Sequence, residues 1–310
     1  MYANKFLNII FSLYILVCIS KIHAEMCDHG QFRINDMATC VPWIGCDEIS
    51  KLEVDFLIGY GAVKKIYASK FMNHTVAIVL VNNENFVEDF IYGLENLITL
   101  SYSKLIVQLI GYCKSSNVYV TEYHKLGDAR TFRKFENSLD ILQKFKFCID
   151  YVSILDFLHS KTNGIRVMCD SNSLDKTLEQ YLISDNLSLI LNDVDALPEV
   201  SEDEKIICGH KQLFGNFIAP EQSWPFESRD YNQILMPPYD EKTDVWKIPD
   251  VCHYFLGSHY SSQKLRSRLD DIHKQCKVIK PTKRITAREV LKFYWKIFTT
   301  FENNSNKIEL

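Results

Sequence analysis

Glycine and proline are scarce, 11 and 8 in a chain of 310 residues, which leaves no material for a repeat array or long linkers. Charge of one sign is also lacking: 35 Lys and Arg stand against 39 Asp and Glu, a formal net charge of −4. That balance gives no overall basic footprint, so nucleic acid is not expected as a partner. Disorder is excluded as well, because 47% of the residues are apolar and 13% aromatic. Such a chain can bury a sizeable core, as one large domain or two lobes.

Long apolar runs are absent except for Phe6–Ile19, preceded by Lys5 and broken by Ser20-Lys21. This is the layout of a secretory leader ending near Ala24. The run is shorter than the roughly 20 residues that span a bilayer and it carries Asn8 and Ser12, so residues 1–24 read as a cleaved signal in preference to the signal anchor of a type II membrane protein. Either form puts the rest of the chain in the lumen of the endoplasmic reticulum, touching membrane only through this segment. The sequons at Asn73, Asn186 and Asn303 agree with that address, as does the ending Lys307-Ile308-Glu309-Leu310, close to a K-D-E-L retrieval signal.

None of the 10 cysteines forms a C-x-x-C pair, which argues against zinc and for disulfides. Cys27, Cys40 and Cys46 crowd residues 25–50, a cysteine-containing luminal segment, and Cys208 with Cys276 is a further candidate bridge. Loss of Cys18 with the leader leaves an odd number, so at least one cysteine has no partner within the chain.

Residues 51–124 are strand-rich. Val54–Ile58, Ala62–Ser69 and Thr75–Val81 alternate as strands around Gly59-Tyr60-Gly61 and a turn at Asn73-His74, and Leu105–Gly111 and Asn117–Tyr123 follow. Between them Phe86, Phe90, Leu94, Leu97 and Leu100 recur at helical spacing. From 125 to 301 helices dominate, notably Leu139–His159, Ser262–Cys276 and Thr286–Phe301, the last opened by a Thr286/Glu289 capping box; residues 302–310 form a tail. A small β-rich N-lobe and a larger helical C-lobe, with a cleft between them, make an α+β bilobal order that resembles the protein-kinase fold.

The motifs carry that resemblance further. Ala219-Pro220-Glu221 matches the A-P-E that closes a kinase activation segment. Asp244 and Arg284 follow it as the helical-lobe Asp and the Arg that pairs with Glu221 would. The glycine loop is Gly59-Tyr60-Gly61-Ala62-Val63-Lys64, and Glu122-Tyr123 stand where the hinge would contact ATP. The usual phosphate-binding lysine is missing, since Val76-Ala77-Ile78-Val79 replaces V-A-I-K. Phosphates in a low-dielectric cleft need a cation, and Lys64 is placed to supply it, as in the with-no-lysine kinases. Of the acids on the N-lobe helix Glu95 best fits a partner for Lys64, with Glu88 and Asp89 as rivals.

Met168-Cys169-Asp170 replaces H-R-D, so Asp170 is the expected catalytic base, while the loss of the loop Arg suggests no control by activation-segment phosphorylation. For Mg²⁺ (or Mn²⁺) the expected ligands are Asp193 first and Asp195 second, from Asn192-Asp193-Val194-Asp195-Ala196 in place of D-F-G, with Asp175 or Asn172 as the remaining donor.

These departures are themselves recognisable. Gly61-Ala62-Val63-Lys64, Val167-Met168-Cys169-Asp170-Ser171-Asn172, Lys176-Thr177-Leu178-Glu179-Gln180-Tyr181-Leu182, Asn192-Asp193-Val194-Asp195-Ala196-Leu197-Pro198 and Trp246-Lys247-Ile248-Pro249-Asp250 closely resemble the family of protein O-mannose kinases, over about Cys27 to Phe298. The resemblance implies a secretory-pathway enzyme that uses ATP and a divalent metal. Its implied acceptor is the 6-hydroxyl of O-linked mannose in a GalNAc-GlcNAc-mannose trisaccharide on α-dystroglycan. Two other readings fit the broken motifs: an inactive luminal pseudokinase scaffold, and a secretory-pathway kinase for protein Ser or Tyr.

Overall fold

The computed structural model describes residues 27–34, 37–201 and 203–305. The leader, Cys18 and the Lys307–Leu310 ending lie outside them.

The amino-terminal part opens with a two-stranded ribbon, β1 (Gln31–Phe32) and β2 (Val41–Pro42), and a single turn of helix, α1 (Cys46–Ile49). Disulfides Cys27–Cys40 and Cys46–Cys113 fasten this segment, the second to the strand β6 (Leu109–Cys113). The five-stranded antiparallel sheet runs β3 (Val54–Tyr60), β4 (Lys64–Phe71), β5 (His74–Val81), β7 (Val118–Glu122), β6. Met72 and Asn73 turn the chain between β4 and β5 in the left-handed region, at φ 47° and 70°. The run Thr75–Val81 is rich in β-branched residues and takes the central position. Helix α2 (Val87–Leu100) crosses the sheet and buries Phe90, Leu94, Leu97 and Leu100, the stripe read from the sequence. Strand β6 begins a few residues later than its apolar run, because Leu105–Val107 instead pack and pair against the strand ending at Leu191, while β7 falls within Asn117–Tyr123 as expected.

Helix α3 (Ile141–Leu158) is the axis of the second part, started by a reciprocal cap between Asp140 and Gln143. Its residues are buried almost all round, against α5 (Lys242–Leu256) and α7 (Ala287–Ser305). Between α3 and α5 come the short strand β8 (Ile165–Arg166), α4 (Leu174–Glu179), the hairpin β9 (Tyr181–Ile183) and β10 (Leu189–Leu191), and β11 (Glu199–Val200), which pairs back with β8. Helix α6 (Tyr260–Cys276) completes the set.

Two expectations are corrected here and one element is added. Helix α5 does not stand out in the sequence, because Pro249 sits inside it. Helix α7 continues past Phe301 to Ser305, so the tail is shorter than 302–310. Cys208 does not pair with Cys276: it bonds Cys169, Cys148 bonds Cys252 between α3 and α5, and Cys276 is a buried free thiol. Among the described residues no helix is long and apolar enough to cross a membrane.

Candidate active site

A cavity of about 610 Å³ opens between the sheet and the helical part. Gly59, Gly61 and Lys64 cover it from β3, the turn after it and β4, Glu122 and Tyr123 close its back, and Asp170, Asp193 and Asp195 stand at its floor. The hinge segment is braced from behind, with Glu122 accepting the Gln108 amide and lying 3.3 Å from His124.

Lys64 begins β4, opposite Val81 of β5, and so shares a strand face with Ile66, which pairs with Val79. Its ammonium lies 2.5 Å from Asp193 Oδ1 and 3.1 Å from Asp195 Oδ2. Burial opposes its charge, yet the two carboxylates outweigh that penalty, Asp193 foremost, and hold Lys64 well above its ordinary pKa. Burial likewise works against the Asp193 carboxylate, but Lys64 keeps it below the usual range. Burial pushes Asp195 up to about 7, Lys64 pulling against it and Asp193 adding to it. The neighbouring Lys65 faces away from the cavity.

Glu95 is not the partner of Lys64. It is exposed on α2 and pairs with Lys114 at 3.1 Å, while Glu88 and Asp89 are also exposed. The face of α2 turned toward the site carries Gly93 and Asn96 instead. A Cβ on Gly93 would stand 2.8 Å from Asp195 Cβ, and Asn96 donates to the Val194 carbonyl at 2.9 Å. Helical periodicity finds the buried stripe of α2; it cannot show that a glycine in that stripe admits carboxylates from another segment.

Asp170 is half-exposed and lies 3.1 Å from Lys176 Nζ. Burial opposes the Lys176 charge, but Asp170 chiefly raises its pKa. The other expected metal donors fall elsewhere. Asn172 and Asp175 are exposed and do not line the cavity, and Ser173, not Asp175, caps α4 by accepting from the Lys176 N–H. The turn of α4 carries the chain past both and brings Gln180 to the floor. The Gln180 backbone carbonyl accepts the N–H groups of Asn192 and Asp193 at 2.8 and 3.2 Å. Its side-chain NH₂ donates to the Lys176 carbonyl at 2.8 Å. Lys176 and Gln180 were visible only as members of the Lys176–Leu182 run.

No group of three or more His, Cys, Asp or Glu among the described residues is arranged to hold a metal. Two adjacent carboxylates with an amide oxygen nearby nevertheless suit Mg²⁺, which takes one or two carboxylates and completes its shell with phosphate oxygens and water. Asp193 and Asp195 would hold it, with Gln180 in place of Asn172 or Asp175.

The loop of residues 168–172 rests on buried polar groups. Asp244 accepts the Met168 N–H at 3.0 Å and lies 3.2 Å from His159 Nε2. Lys247, 1% exposed, bonds Ser171 Oγ and stands 3.3 Å from Asp244; Ser171 in turn donates to the Met168 carbonyl. Burial depresses the Lys247 pKa against the pull of Asp244. Glu221 receives both ends of the Arg284 guanidinium, at 2.6 and 3.0 Å. Asn73, Asn186 and Asn303 are all exposed.

No family model matches the chain. It is 41% identical over 295 residues to the protein O-mannose kinase of Homo sapiens, covering 92% of this chain and 84% of that one. The protein O-mannose kinase of Gallus gallus is 43% identical over 286 residues, 89% and 80% of the two chains. That of Xenopus laevis is 38% identical over 291 residues, 90% and 82%.

Proposed function

The chain belongs to the protein O-mannose kinase family, and on that premise we propose that this ATP-dependent phosphotransferase phosphorylates the 6-hydroxyl of O-linked mannose in a GalNAc-GlcNAc-mannose trisaccharide on α-dystroglycan. The observation that carries the catalytic reading is the Lys64 ammonium held by Asp193 and Asp195 across the cleft from Asp170, where Val79 leaves no lysine. In this reading Asp170 orients the sugar hydroxyl and accepts its proton as the oxygen attacks phosphorus. Lys64, delivered from the glycine-loop side, offsets the charge that spreads over the transferred phosphoryl group. Lys176, 3.1 Å from Asp170, is its ion-pair partner at the cavity floor. A divalent metal, held by Asp193 and Asp195, supplies further neutralisation of phosphate charge when bound.

An endoplasmic-reticulum lumen as the working compartment is supported by the Phe6–Ile19 run, the four disulfides and the three exposed sequons. The test is transfer from γ-labelled ATP to the mannose trisaccharide, run beside a free mannoside and Ser- and Tyr-containing peptides. Label confined to the trisaccharide is expected; label on the peptides alone would overturn the acceptor assignment.

A further inference from the structure

Cys169 stands directly before Asp170, at the position of the Arg in H-R-D. In kinases controlled by phosphorylation an activation loop is ordered by charge pairing between Arg and a phosphorylated residue. Here Cys169 is bonded covalently to Cys208, which lies between Asp193 and Glu221, the limits of the activation segment.

Both ends of the bridge are anchored. On the loop side the Cys169 N–H donates to the Ala196 carbonyl at 3.0 Å, and the Val167 N–H to the Pro198 carbonyl at 3.1 Å. On the other side the Cys208 N–H donates to the Tyr239 hydroxyl at 2.7 Å, and Ile206 exchanges backbone hydrogen bonds with Tyr239. Around the sulfurs Val167, Val200, Cys208, Met236 and Tyr239 form a separate apolar cluster, with Cys169 packed against it. A phosphate and its counter-charge would be costly in such surroundings, whereas a disulfide is at home there.

We propose that the Cys169–Cys208 disulfide is a positioning element for the phosphoryl transfer: it replaces phosphorylation-dependent ordering with a permanent link between the activation segment and the peptide that carries Asp170. It acts through Asp170 and touches no substrate. The consequence is an enzyme that is competent without modification of its activation segment. This rests on the reading of Asp170 as the acceptor-side carboxylate.

Cys169→Ser, Cys208→Ser and the double variant are compared in the full chain at a temperature well below their melting points. Each is expected to lose at least about tenfold in kcat for glycan transfer, because a displacement near 1 Å at the reacting centre costs much of a rate. KM for ATP should stay close to wild type, since Lys64 and the hinge are untouched. The double variant should be no worse than either single one, as all three break the same bond. Cys148→Ser/Cys252→Ser, which removes the bridge between α3 and α5, should lower the melting temperature and leave kcat alone. Wild-type kcat in the folded Cys169→Ser/Cys208→Ser protein would overturn the proposal. Peptide mapping of the alkylated, unmutated active protein must find Cys169 and Cys208 linked; an active preparation with both thiols free overturns it whether or not the variants fold. Asp170→Asn run alongside separates the two readings. Its full activity would remove the assigned base, while its inactivity together with unaffected cysteine variants would remove only the positioning role.

Discussion

Gly93 of helix α2 lies against Asp195, so closely that a methyl group on Gly93 would reach 2.8 Å from the Asp195 Cβ and 3.1 Å from its Cα. This contact explains how Lys64 is paired without an acid on α2. The missing side chain opens room for the segment 193–195 to rise toward β4, and its own carboxylates, not Glu95, then hold Lys64.

Gly93→Ala should therefore push the 193–195 segment away from Lys64. The backbone at this position is helical and suits alanine, which by propensity alone would add about 1 kcal/mol to the helix. A loss of kcat of tenfold or more, about 1.4 kcal/mol, is expected nonetheless from the displaced Asp195. Steady-state kinetics beside a melting curve checks this; a stabilised, fully active variant would refute it.

Lys64→Ala removes a buried charge-assisted contact worth on the order of 2–4 kcal/mol, so glycan phosphorylation at saturating ATP should fall by roughly a hundredfold or more. Lys65→Ala should change little, because that side chain stands on the other strand face. Small and equal losses in the two variants would sink the assignment.

Asp170→Asn keeps the shape of the loop and removes the proton acceptor, so transfer to the glycan should be abolished with the melting temperature nearly unchanged. Single-turnover measurement with preloaded ATP reads the chemical step directly. Full activity would strip Asp170 of its role.

His273 offers a pH test independent of the site. Its Nε2 meets the Tyr294 hydroxyl at 2.6 Å and its Nδ1 has no hydrogen-bond partner. Burial, then His253 and Lys277, lower its pKa from 6.5 to about 3. A histidine depressed on folding contributes stability above its unfolded pKa and loses it as pH falls toward the folded one. Between about pH 7 and pH 5 the loss from this group is about 2 kcal/mol. Urea unfolding at both values, with His273→Gln showing a flatter dependence than wild type, is the expected result.

Material made in a secretory host should carry N-glycans on one or more of Asn73, Asn186 and Asn303. Endoglycosidase treatment should then increase its gel mobility. A product insensitive to the enzyme would contradict the luminal address.

The sequence by itself determined the architecture and the order of the candidate site residues. The stripe Phe90–Leu100 on α2, the Thr286/Glu289 cap of α7 and the β-branched run Thr75–Val81 are local patterns, which helical periodicity, local hydrogen bonding and strand propensity suffice to produce. The order of Lys64, Asp170, Asp193 and Glu221 along the chain was likewise legible, since each stands in a short motif. What the tertiary structure decided are pairings between segments far apart in the chain, which no local period encodes. They include Lys64 with Asp193 and Asp195 instead of Glu95, Gln180 brought to the floor past Asn172 and Asp175, and Cys208 joined to Cys169 instead of Cys276. Each depends on how closely two backbones approach. At α2 that distance is set by the absence of a side chain on Gly93, and at Cys208 by the hydrogen bond its N–H donates to the Tyr239 hydroxyl.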